Sequence, residues 1–525
     1  MEIVEDVVIV GAGIAGLTTS LGLYRLGVRS LVLESWDSLR NTGFALTLWT
    51  NAWKALDAVG IADSLRQQHF LIQGNHLGDI LFAWTTFDHP GDASWAEAKG
   101  ALLAFTKASE LGIQQITFEG DASCVIHPIQ SSTYLPLWLI SPLIEDIRSL
   151  ASHFPYWSFS LVLREANSAA HSLASWASSC IRVGTIPISS IPPSVWGSCE
   201  VDGIGLATSE TSFQAKGNHE VRCVKRKKLL EALAKELPSG TIRYSSKVVC
   251  IEESGFYKLV HLTDGTILKT KVLIGCDGVN SVVAKWLGLK KPTFTGRSAI
   301  RGYTESIDSH EYGPKSTQFF GNGVRFGCRP CDDKTLFWYV TWASSSPDKE
   351  LQDNPAKMKQ FVLNKLEKLP DHLRAVIEST GLDGFISSRL TYRHPWELLW
   401  GNISKSNVCV AGDAFHPMTP DIGQGGSAAL EDGVVLARCL AEALLKEPSE
   451  EDKEQHERIE MGLKKYAKER RWRAFELITT SYFAGFIQQN DGKMMNFLRE
   501  KFLASYLRGL LLKRADFDCG KLSIS

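Results

Sequence analysis

The sequence lacks several features that would assign it to a specialised class of protein. Its net charge is −1, so the whole chain has no strong electrostatic attraction to nucleic acid or to anionic lipid. Its 11 cysteines are scattered and odd in number, which argues against a disulfide scaffold and favours a reducing compartment. It contains no N-terminal apolar signal region and no run of about 18 apolar residues. We therefore expect a cytoplasmic protein without a transmembrane segment.

Metal-binding cysteine patterns are also scarce. One Cys-x-x-Cys pair occurs, Cys328 and Cys331 in "GCRPCDD", and no second pair stands at the spacing of a zinc site. The segment is typical of a turn between two strands. We expect no metal site here.

What remains is the composition of an ordinary globular protein. The chain has 525 residues, of which 44% are hydrophobic and 22% charged, so large cores are expected. This length fits roughly two to four domains.

The first motif is "VVIVGAGIAGL". An apolar strand at residues 7–10 leads into Gly11, Gly13 and Gly16, and a second apolar run ends at Glu34, 18 residues after Gly16. This order predicts a β-α-β dinucleotide-binding unit, with the pyrophosphate at the helix N-terminus and the acid on a ribose. The motif alone does not decide between FAD and NAD.

Two later motifs have the same construction. "KVLIGCDGVNSVV" places Asp277 and Gly278 after an apolar strand. "NVCVAGDAFHPMTPDIGQGGSAALED" places Gly412 and Asp413 after another strand, followed by a Pro/Gly turn and a helical pattern. An aspartate at a strand end can accept a hydrogen bond from a sugar or ribityl hydroxyl, and glycines that open a helix present backbone N–H groups to an electron-rich ligand.

Together the three motifs resemble the single-component FAD-dependent aromatic hydroxylases and epoxidases, especially plant monooxygenases of the salicylate-hydroxylase-like and zeaxanthin-epoxidase-like kinds. The resemblance covers residues 1–74 and about 199–520. It implies an α/β fold with a Rossmann-like FAD-binding domain, a mixed β-sheet substrate domain and C-terminal helices. It also implies that NAD(P)H reduces the flavin, that O2 forms a C4a-hydroperoxide, and that oxygen passes to a small aromatic or isoprenoid substrate.

The resemblance extends the cofactor site beyond the first motif to the later turns and to two basic positions. The expected cofactor-binding residues are Gly11, Gly13, Gly16, Glu34, Arg40, Arg226, Asp277, Gly278, Gly412, Asp413, Pro420, Gly423 and Gly425. Many members of the family carry an arginine where this chain has Ala284, so no pyridine-nucleotide contact is expected there. No catalytic base is assigned, and His416 is expected to be a packed turn residue.

Residues 293–395 carry strand signals, namely aromatic and β-branched residues in alternation. They predict the sheet that covers the flavin. Alternation makes Arg301, Tyr303, Gln318 and Phe320 candidates for its substrate-facing side. After residue 450 the pattern is helical, and residues 496–514 form an apolar face that favours packing across two domains.

Residues 75–198 do not fit the monooxygenase pattern. "AEAKGALLAFTKASELGI", "ITFEGDASCVI" and "LVLREANSAAHSLASWA" resemble the ribonuclease H-like domain of plant retrotransposons. The predicted order is strand 78–87, helix 93–112 closed by Gly112, strand 113–121, helix 141–154, strand 157–167 and helix 167–179.

The insert is expected to be catalytically incomplete. Glu97 and Asp121 match two of the acids that would hold two divalent metal ions, but the strand that carries the first acid is missing. His171 stands at the last acidic position, and Pro128 interrupts the helix after Asp121. The net charge of −6 over residues 75–180 opposes phosphate binding. The insert therefore resembles a relic of transposon capture, or intron sequence retained in the gene prediction.

The expected organisation alternates parts of the FAD-binding domain with the other segments. The segments are 1–74, 199–292 and 396–450 for FAD binding, 75–198 for the insert, 293–395 for the substrate sheet and 451–525 for the C-terminal helices. Two alternatives remain open: a flavin-dependent reductase or dehydrogenase on the same scaffold, and an inactive pseudoenzyme or nucleic-acid-binding chimera.

Overall fold

A computed structural model gives the fold of most of the chain. The described residues are 3–40, 43–69, 83–85, 93–110, 115–120, 122–131, 134–154, 156–161, 184–186, 207–209, 220–305, 316–321, 323–344, 354–367, 370–445, 452–489 and 513–522. They divide into two compact units, one of residues 1–76 and 205–525 and the other of residues 77–204.

The strands are short to medium in length and belong to several sheets. In chain order they are β1 (Ile3–Val10), β2 (Leu31–Leu33), β3 (Ala45–Leu48), β4 (Ala83–Thr85), β5 (Gln115–Gly120), β6 (Tyr156–Leu161), β7 (Gly184–Ile186), β8 (Ala207–Ser209), β9 (Arg222–Lys225), β10 (Ile242–Arg243), β11 (Val248–Ser254), β12 (Tyr257–Leu262), β13 (Ile267–Gly275), β14 (Thr293–Glu305), β15 (Thr317–Gly321), β16 (Val324–Asp332), β17 (Thr335–Ala343), β18 (Phe385–Tyr392), β19 (Ser404–Lys405) and β20 (Val408–Val410).

The α-helices range from one turn to a helix of 38 residues. They are α1 (Ile14–Arg25), α2 (Thr50–Val59), α3 (Ala62–Arg66), α4 (Ala93–Glu110), α5 (Ser123–Gln130), α6 (Ser141–Ala151), α7 (Arg226–Lys235), α8 (Val282–Trp286), α9 (Pro355–Lys365), α10 (Asp371–Ser379), α11 (Pro395–Trp400), α12 (Gly425–Leu444) and α13 (Asp452–Gln489). No helix within the described part of the chain is both long and apolar enough to cross a membrane.

The larger unit is built on an eight-stranded sheet in the order β10-β2-β1-β13-β12-β11, with β20 beside β13 and β19 beside β20. β1 is parallel to β2 and β13, and β13 is parallel to β20. Residues 7–10 are all buried because both faces of this sheet are covered. The parallel arrangement brings the carboxyl ends of β1, β13 and β20 to one edge, where ligands bind in open α/β sheets.

The second sheet of this unit has six strands in the order β18-β14-β17-β16-β15-β8. One face is apolar, with Ile300, Phe326 and Trp338 packed in a core that also contains residues of α9 and α10. In the antiparallel register Arg301 pairs with Tyr339, and Tyr339 pairs with Gly327. Paired positions share a face, so the opposite face carries the polar residues of the alternation.

The smaller unit has a core of its own. β5 and β6 are parallel, β4 and β7 are antiparallel, and α4, α5 and α6 contribute Phe105, Val125 and Ile144 to the buried cluster. Strand 78–87, helix 93–112, strand 113–121, helix 141–154 and strand 157–167 correspond to β4, α4, β5, α6 and β6. Gly112, Asp121 and the predicted helix 167–179 lie outside the described residues. The expected interruption by Pro128 is wrong in detail, since α5 continues through it and ends two residues later.

The expectation that the Cys-x-x-Cys pair forms a turn is also wrong. Cys328 and Cys331 lie in strand β16 rather than in a turn. Successive residues of a strand point to opposite faces, so two thiols three positions apart diverge. Cys328 belongs to the apolar core under α9, whereas Cys331 packs in another cluster, with its sulfur 3.3 Å from that of Cys223.

Candidate functional site

The carboxyl end of β1 forms a tight turn onto α1. Gly11 has φ of +103°, and a Cβ there would stand 2.5 Å from the Cys276 carbonyl oxygen. A Cβ at Gly16 would overlap the Gly11 carbonyl oxygen, while a Cβ at Gly13 would meet nothing within 4 Å. The first and third glycines are therefore required by packing. The second faces open space at the N-terminus of α1, where free N–H groups favour an anion.

Glu34 lies at the end of β2 and is 7% exposed. Its carboxylate accepts hydrogen bonds from the Ala12 N–H at 2.9 Å and the Trp36 N–H at 3.1 Å. The side chain thus ties the glycine turn to β2. A carboxylate has about four acceptor positions, so these bonds leave capacity for a ligand hydroxyl.

Asp277 follows β13 and is committed to the next helix. It accepts from the Ser281 hydroxyl at 2.5 Å and from the Val282 N–H at 2.7 Å, at the start of α8. Burial raises the pKa of Asp277 above its usual value, although these hydrogen bonds act in the opposite direction. Gly278, the next residue of the motif, has φ of +76°.

The third motif folds around the buried carboxylate of Asp432. Gly412 has φ of +60°, and its N–H donates to Asp432 at 2.8 Å. His416 lies 2.5 Å from the same carboxylate, and both side chains are fully buried. His416 is therefore a structural residue of this turn. Asp413, between them, is exposed and makes no side-chain hydrogen bond among the described residues.

Asp413 interacts electrostatically with Arg226 and Arg301, and Arg40 acts on Arg226. Arg226 begins α7 and is half-buried, and its Nε is buried without a hydrogen-bond partner within the described ranges. Burial lowers the pKa of Arg226, while Asp413 raises it and Arg40 lowers it. Burial also lowers the pKa of Arg301. Arg226 lowers this pKa further, whereas Asp413 raises it. A buried donor without an acceptor is costly, so this group fits a missing polar, anionic ligand such as FAD.

The Pro/Gly loop after the third motif runs through Pro420–Ile422 and Gly423 to the N-terminus of α12 at Gly425. It is held from two sides. The Thr419 hydroxyl lies 2.8 Å from that of Ser481 in α13, and Gln424 accepts from Asn51 of α2 at 2.9 Å. The free N–H groups of the α12 N-terminus are thus fixed in direction, as stabilisation of negative charge requires.

The polar side of the six-stranded sheet carries Arg297, Arg301, Arg325 and Arg329, and we call it the arginine face. Gln318 pairs with Gly327, and Phe320 pairs with Arg325. The register therefore places Arg301, Tyr303 and Gln318 on this same face, and it stays a prediction that this face meets the substrate. The side chain of Arg301 makes no hydrogen bond among the described residues. Tyr303 packs on Phe44 with ring centroids 4.6 Å apart.

Sequence reasoning missed two buried charge networks next to the motifs. Glu431 and Asp432, at adjacent positions of α12, are paired with Arg470 of α13 at 2.6 and 2.7 Å. Asp421 of the Pro/Gly loop is paired with Arg297 and Arg325 of the arginine face. The only signal in the sequence is a charged residue inside an otherwise apolar helix or strand, because each partner is far away along the chain.

The insert contributes no ligand cluster within the described residues. Glu97 lies half-buried in α4, and Asp121 lies outside the described residues. No group of three or more potential metal ligands occurs in the part of the chain that the structure covers.

Two family patterns match the chain. The pattern described as "FAD binding domain" matches residues 5–90 and 208–480, and the pattern described as "Reverse transcriptase-like" matches residues 71–177. The first pattern is therefore interrupted, and most of the second falls inside the interruption.

Known relatives agree with the first pattern. Monooxygenase 2 of Arabidopsis thaliana is 44% identical over 522 aligned residues, covering 98% of this chain and 98% of that protein. Monooxygenase 1 of the same plant is 27% identical over 531 aligned residues, covering 98% and 99%. The crystal structure of Klebsiella pneumoniae HpxO with FAD and uric acid superimposes with a TM-score of 0.60 at 16% identity, covering 99% and 98%. At that identity the structural similarity establishes the fold.

Proposed function

Because the chain belongs to the family of FAD-dependent monooxygenases, we propose that it oxidises NAD(P)H with O2 and transfers one oxygen atom to a small aromatic or isoprenoid substrate. Bound FAD would supply the electron transfer and the activation of oxygen. The residues of the chain bind and orient the cofactor and keep water from it. A cytoplasmic location and the domain boundaries given above belong to the same proposal.

The observation that carries the proposal is a pair of side-chain groups without hydrogen-bond partners in the described residues, on Arg226 and Asp413. Arg226 has a buried Nε without an acceptor in the described residues, and Asp413 has an exposed carboxylate without a donor. Asp413 follows β20, whose carboxyl end lies at the same sheet edge as those of β1 and β13. FAD offers anionic phosphates to the Arg226 guanidinium and ribityl hydroxyls to the Asp413 carboxylate.

We assign the cofactor site on this basis. Gly11, Gly13 and Gly16 with the α1 N-terminus would hold the pyrophosphate, and Glu34 would hold a ribose. Asp413 would hold the ribityl chain, with Asp277 and Gly278 beside it. The loop of Pro420, Gly423 and Gly425 would lie against the flavin ring. Its N–H groups would stabilise negative charge on the reduced ring.

The arginine face supports an acidic aromatic substrate over a neutral isoprenoid. Arg297 and Arg325 are ion-paired with Asp421, and Arg329 donates to the Ser316 hydroxyl at 2.7 Å. Of the four arginines of this face, only Arg301 has no side-chain hydrogen-bond acceptor among the described residues. A substrate carboxylate or phenolate would supply one, and aromatic rings would pack against Tyr303 and Phe44.

The Arg301 assignment is tested by ligand binding to the FAD-loaded chain. Hydroxybenzoates are the anionic probes and terpenoid alcohols the neutral ones, followed through the flavin spectrum. We expect Arg301→Gln to weaken the binding of hydroxybenzoates by about tenfold to a hundredfold, because a charge-assisted hydrogen bond is lost. Arg301→Lys is expected to retain part of the affinity. An equal loss of affinity for the neutral and the anionic probes would contradict a charge-based role of Arg301.

Oxygen stoichiometry tests the reaction itself. The FAD-loaded chain is supplied with NADH or NADPH, and O2 uptake is compared with H2O2 release while candidate substrates are added. A monooxygenase takes up more O2 than it releases as H2O2, because one oxygen atom enters the product. A reductase or dehydrogenase leaves no such difference with any substrate that accelerates NAD(P)H oxidation.

A further inference from the structure

The carboxylate of Asp421 lies in a buried ion cluster between the Pro/Gly loop and the arginine face. Arg297 of β14 binds it with two parallel hydrogen bonds of 2.7 and 3.1 Å. Arg325 of β16 donates to it at 3.2 Å and to the Gln318 side-chain oxygen at 2.9 Å. Two strands of the substrate sheet thus hold one residue of the loop.

Solvent hardly reaches this cluster. The side chain of Asp421 is 1% exposed, and those of Arg297 and Arg325 are 10% and 5% exposed. Gly485 of α13 lies directly over it, since a Cβ there would overlap both the Asp421 carboxylate and the Arg297 guanidinium. Buried ion pairs contribute little net stability compared with apolar residues of the same size. The cluster is therefore poorly explained by stability alone.

The cluster places two guanidinium groups around one carboxylate at low dielectric, where charge acts over a longer range than in water. Pro420, Gly423 and Gly425 of the same loop are the residues assigned to the flavin ring. Reduction places negative charge on a flavin, so a fixed positive charge held at this loop favours the reduced form.

We propose that Asp421 is a positioning residue, and that its cluster with Arg297 and Arg325 holds the Pro/Gly loop on the arginine face and sets the reduction potential of the bound flavin. This inference rests on the proposed function, because it takes residues 420–425 as the flavin loop. It goes beyond that function by assigning a role in cofactor redox tuning to three residues, two of which come from the substrate sheet.

The sign of the change in potential tests this role. Asp421→Asn removes one negative charge from the cluster and is expected to shift the flavin midpoint potential to more positive values. Arg297→Gln and Arg325→Gln each remove one positive charge and are expected to shift it to more negative values. The potential is measured by dye equilibration on the FAD-loaded full-length chain. A purely structural role would loosen the loop in all three variants and shift the potential in one common direction.

Conservative variants and a matched control complete the design. Arg297→Lys and Arg325→Lys keep the charge and are expected to keep the wild-type potential, so they decide the question even if Asp421→Asn does not fold. Glu469→Gln breaks an Arg438 pair of 2.7 Å between α12 and α13, away from the loop, and is expected to leave the potential unchanged.

The possible failures are distinguishable. A wild-type chain that binds no FAD overturns the proposed function and this inference together. A wild-type chain that binds FAD, with variants whose potentials stay unchanged or all move in one direction, overturns this inference alone.

Discussion

At the scale of single residues, the three glycines of the first motif have different physical roles. Glycine is required at position 16 because the Gly11 carbonyl oxygen lies where the Cβ of any other residue would be. Gly13 is required by nothing in the protein itself, because the space beside it is open. Only a bound ligand explains the second glycine.

This difference predicts opposite behaviour for two alanine variants. Gly16→Ala is expected to destabilise the chain by about 1–3 kcal/mol, the usual cost of overpacking, before FAD is added. Gly13→Ala is expected to leave the unfolding free energy within about 0.5 kcal/mol and to weaken FAD binding. Urea unfolding without FAD and titration with FAD measure the two effects. A Gly13→Ala chain with wild-type FAD affinity would contradict the placement of the pyrophosphate.

The sequence allowed these residue roles to be predicted only where partners are close along the chain. The Gly11–Gly16 turn and Glu34 lie within one β-α-β unit, so spacing alone describes their geometry. Asp421 lies 96 and 124 residues from its two arginines. Such a pair depends on the docking of a loop against a sheet, which local pattern does not encode.

At the scale of elements, α12 and α13 are joined by buried charges as well as by an apolar seam. Burial alone would raise the pKa of Asp432, but His416 and Arg470 hold it below its usual value. Burial acts in the same way on Glu431, whose pKa is held low by Arg470 and Arg473. The charged forms are therefore the ones that the fold requires.

The lowered pKa values predict acid sensitivity. An acid with a folded-state pKa below its unfolded-state value contributes stability above the unfolded pKa of about 4 and loses it as the pH falls through the folded value. The unfolding free energy of the larger unit is therefore expected to fall below about pH 4. Urea unfolding at pH 7, 5 and 3.5, at fixed FAD concentration, measures this.

Asp432→Asn is the variant that assigns the effect. It leaves Arg470 without one of its buried partners and is expected to lower the unfolding free energy by about 3–5 kcal/mol at pH 7. Its unfolding free energy is expected to fall less than that of the wild-type chain when the pH is lowered. Glu378→Gln, in an exposed pair with Arg374, is the matched control and is expected to change stability by less than about 1 kcal/mol. Wild-type stability for Asp432→Asn at pH 7 would contradict a structural role for this network.

Strand β16 shows why one element was mispredicted. Gly327 and Pro330 are turn residues in most contexts, and they separate Cys328 and Cys331 from the apolar pattern. Pro330 is tolerated because it lies beyond the residues that pair with β15, where a missing N–H breaks no ladder bond on that side. A glycine is tolerated at position 327 because the Tyr339 ring occupies the space of its side chain.

At the scale of the whole molecule, the chain carries two units with separate cores. The predicted resemblance to a monooxygenase interrupted by a ribonuclease H-like segment is confirmed by the two family patterns. The exact domain boundaries, the incompleteness of the insert and its effect on activity stay predictions. The sequence pattern identifies both segments because each carries its own motifs, but it does not show whether they unfold independently.

Separate cores predict separate unfolding. Differential scanning calorimetry of the full-length chain is expected to show two transitions. FAD is expected to raise the midpoint of the transition of the larger unit, by the mass-action effect of a ligand that binds only the folded state, and to leave the other unchanged. A chain that lacks residues 77–204 is expected to keep the FAD-sensitive transition. A single transition that FAD shifts as a whole would contradict independent units.

The central claim is that this chain, with its insert, binds FAD, and the visible absorption spectrum of the purified full-length protein tests it most directly. The account predicts flavin bands that remain with the protein on gel filtration, at about one FAD per chain, and that weaken in Asp413→Ala. The shortened chain without residues 77–204 is the control for the insert. A colourless full-length chain that does not take up added FAD would contradict the claim.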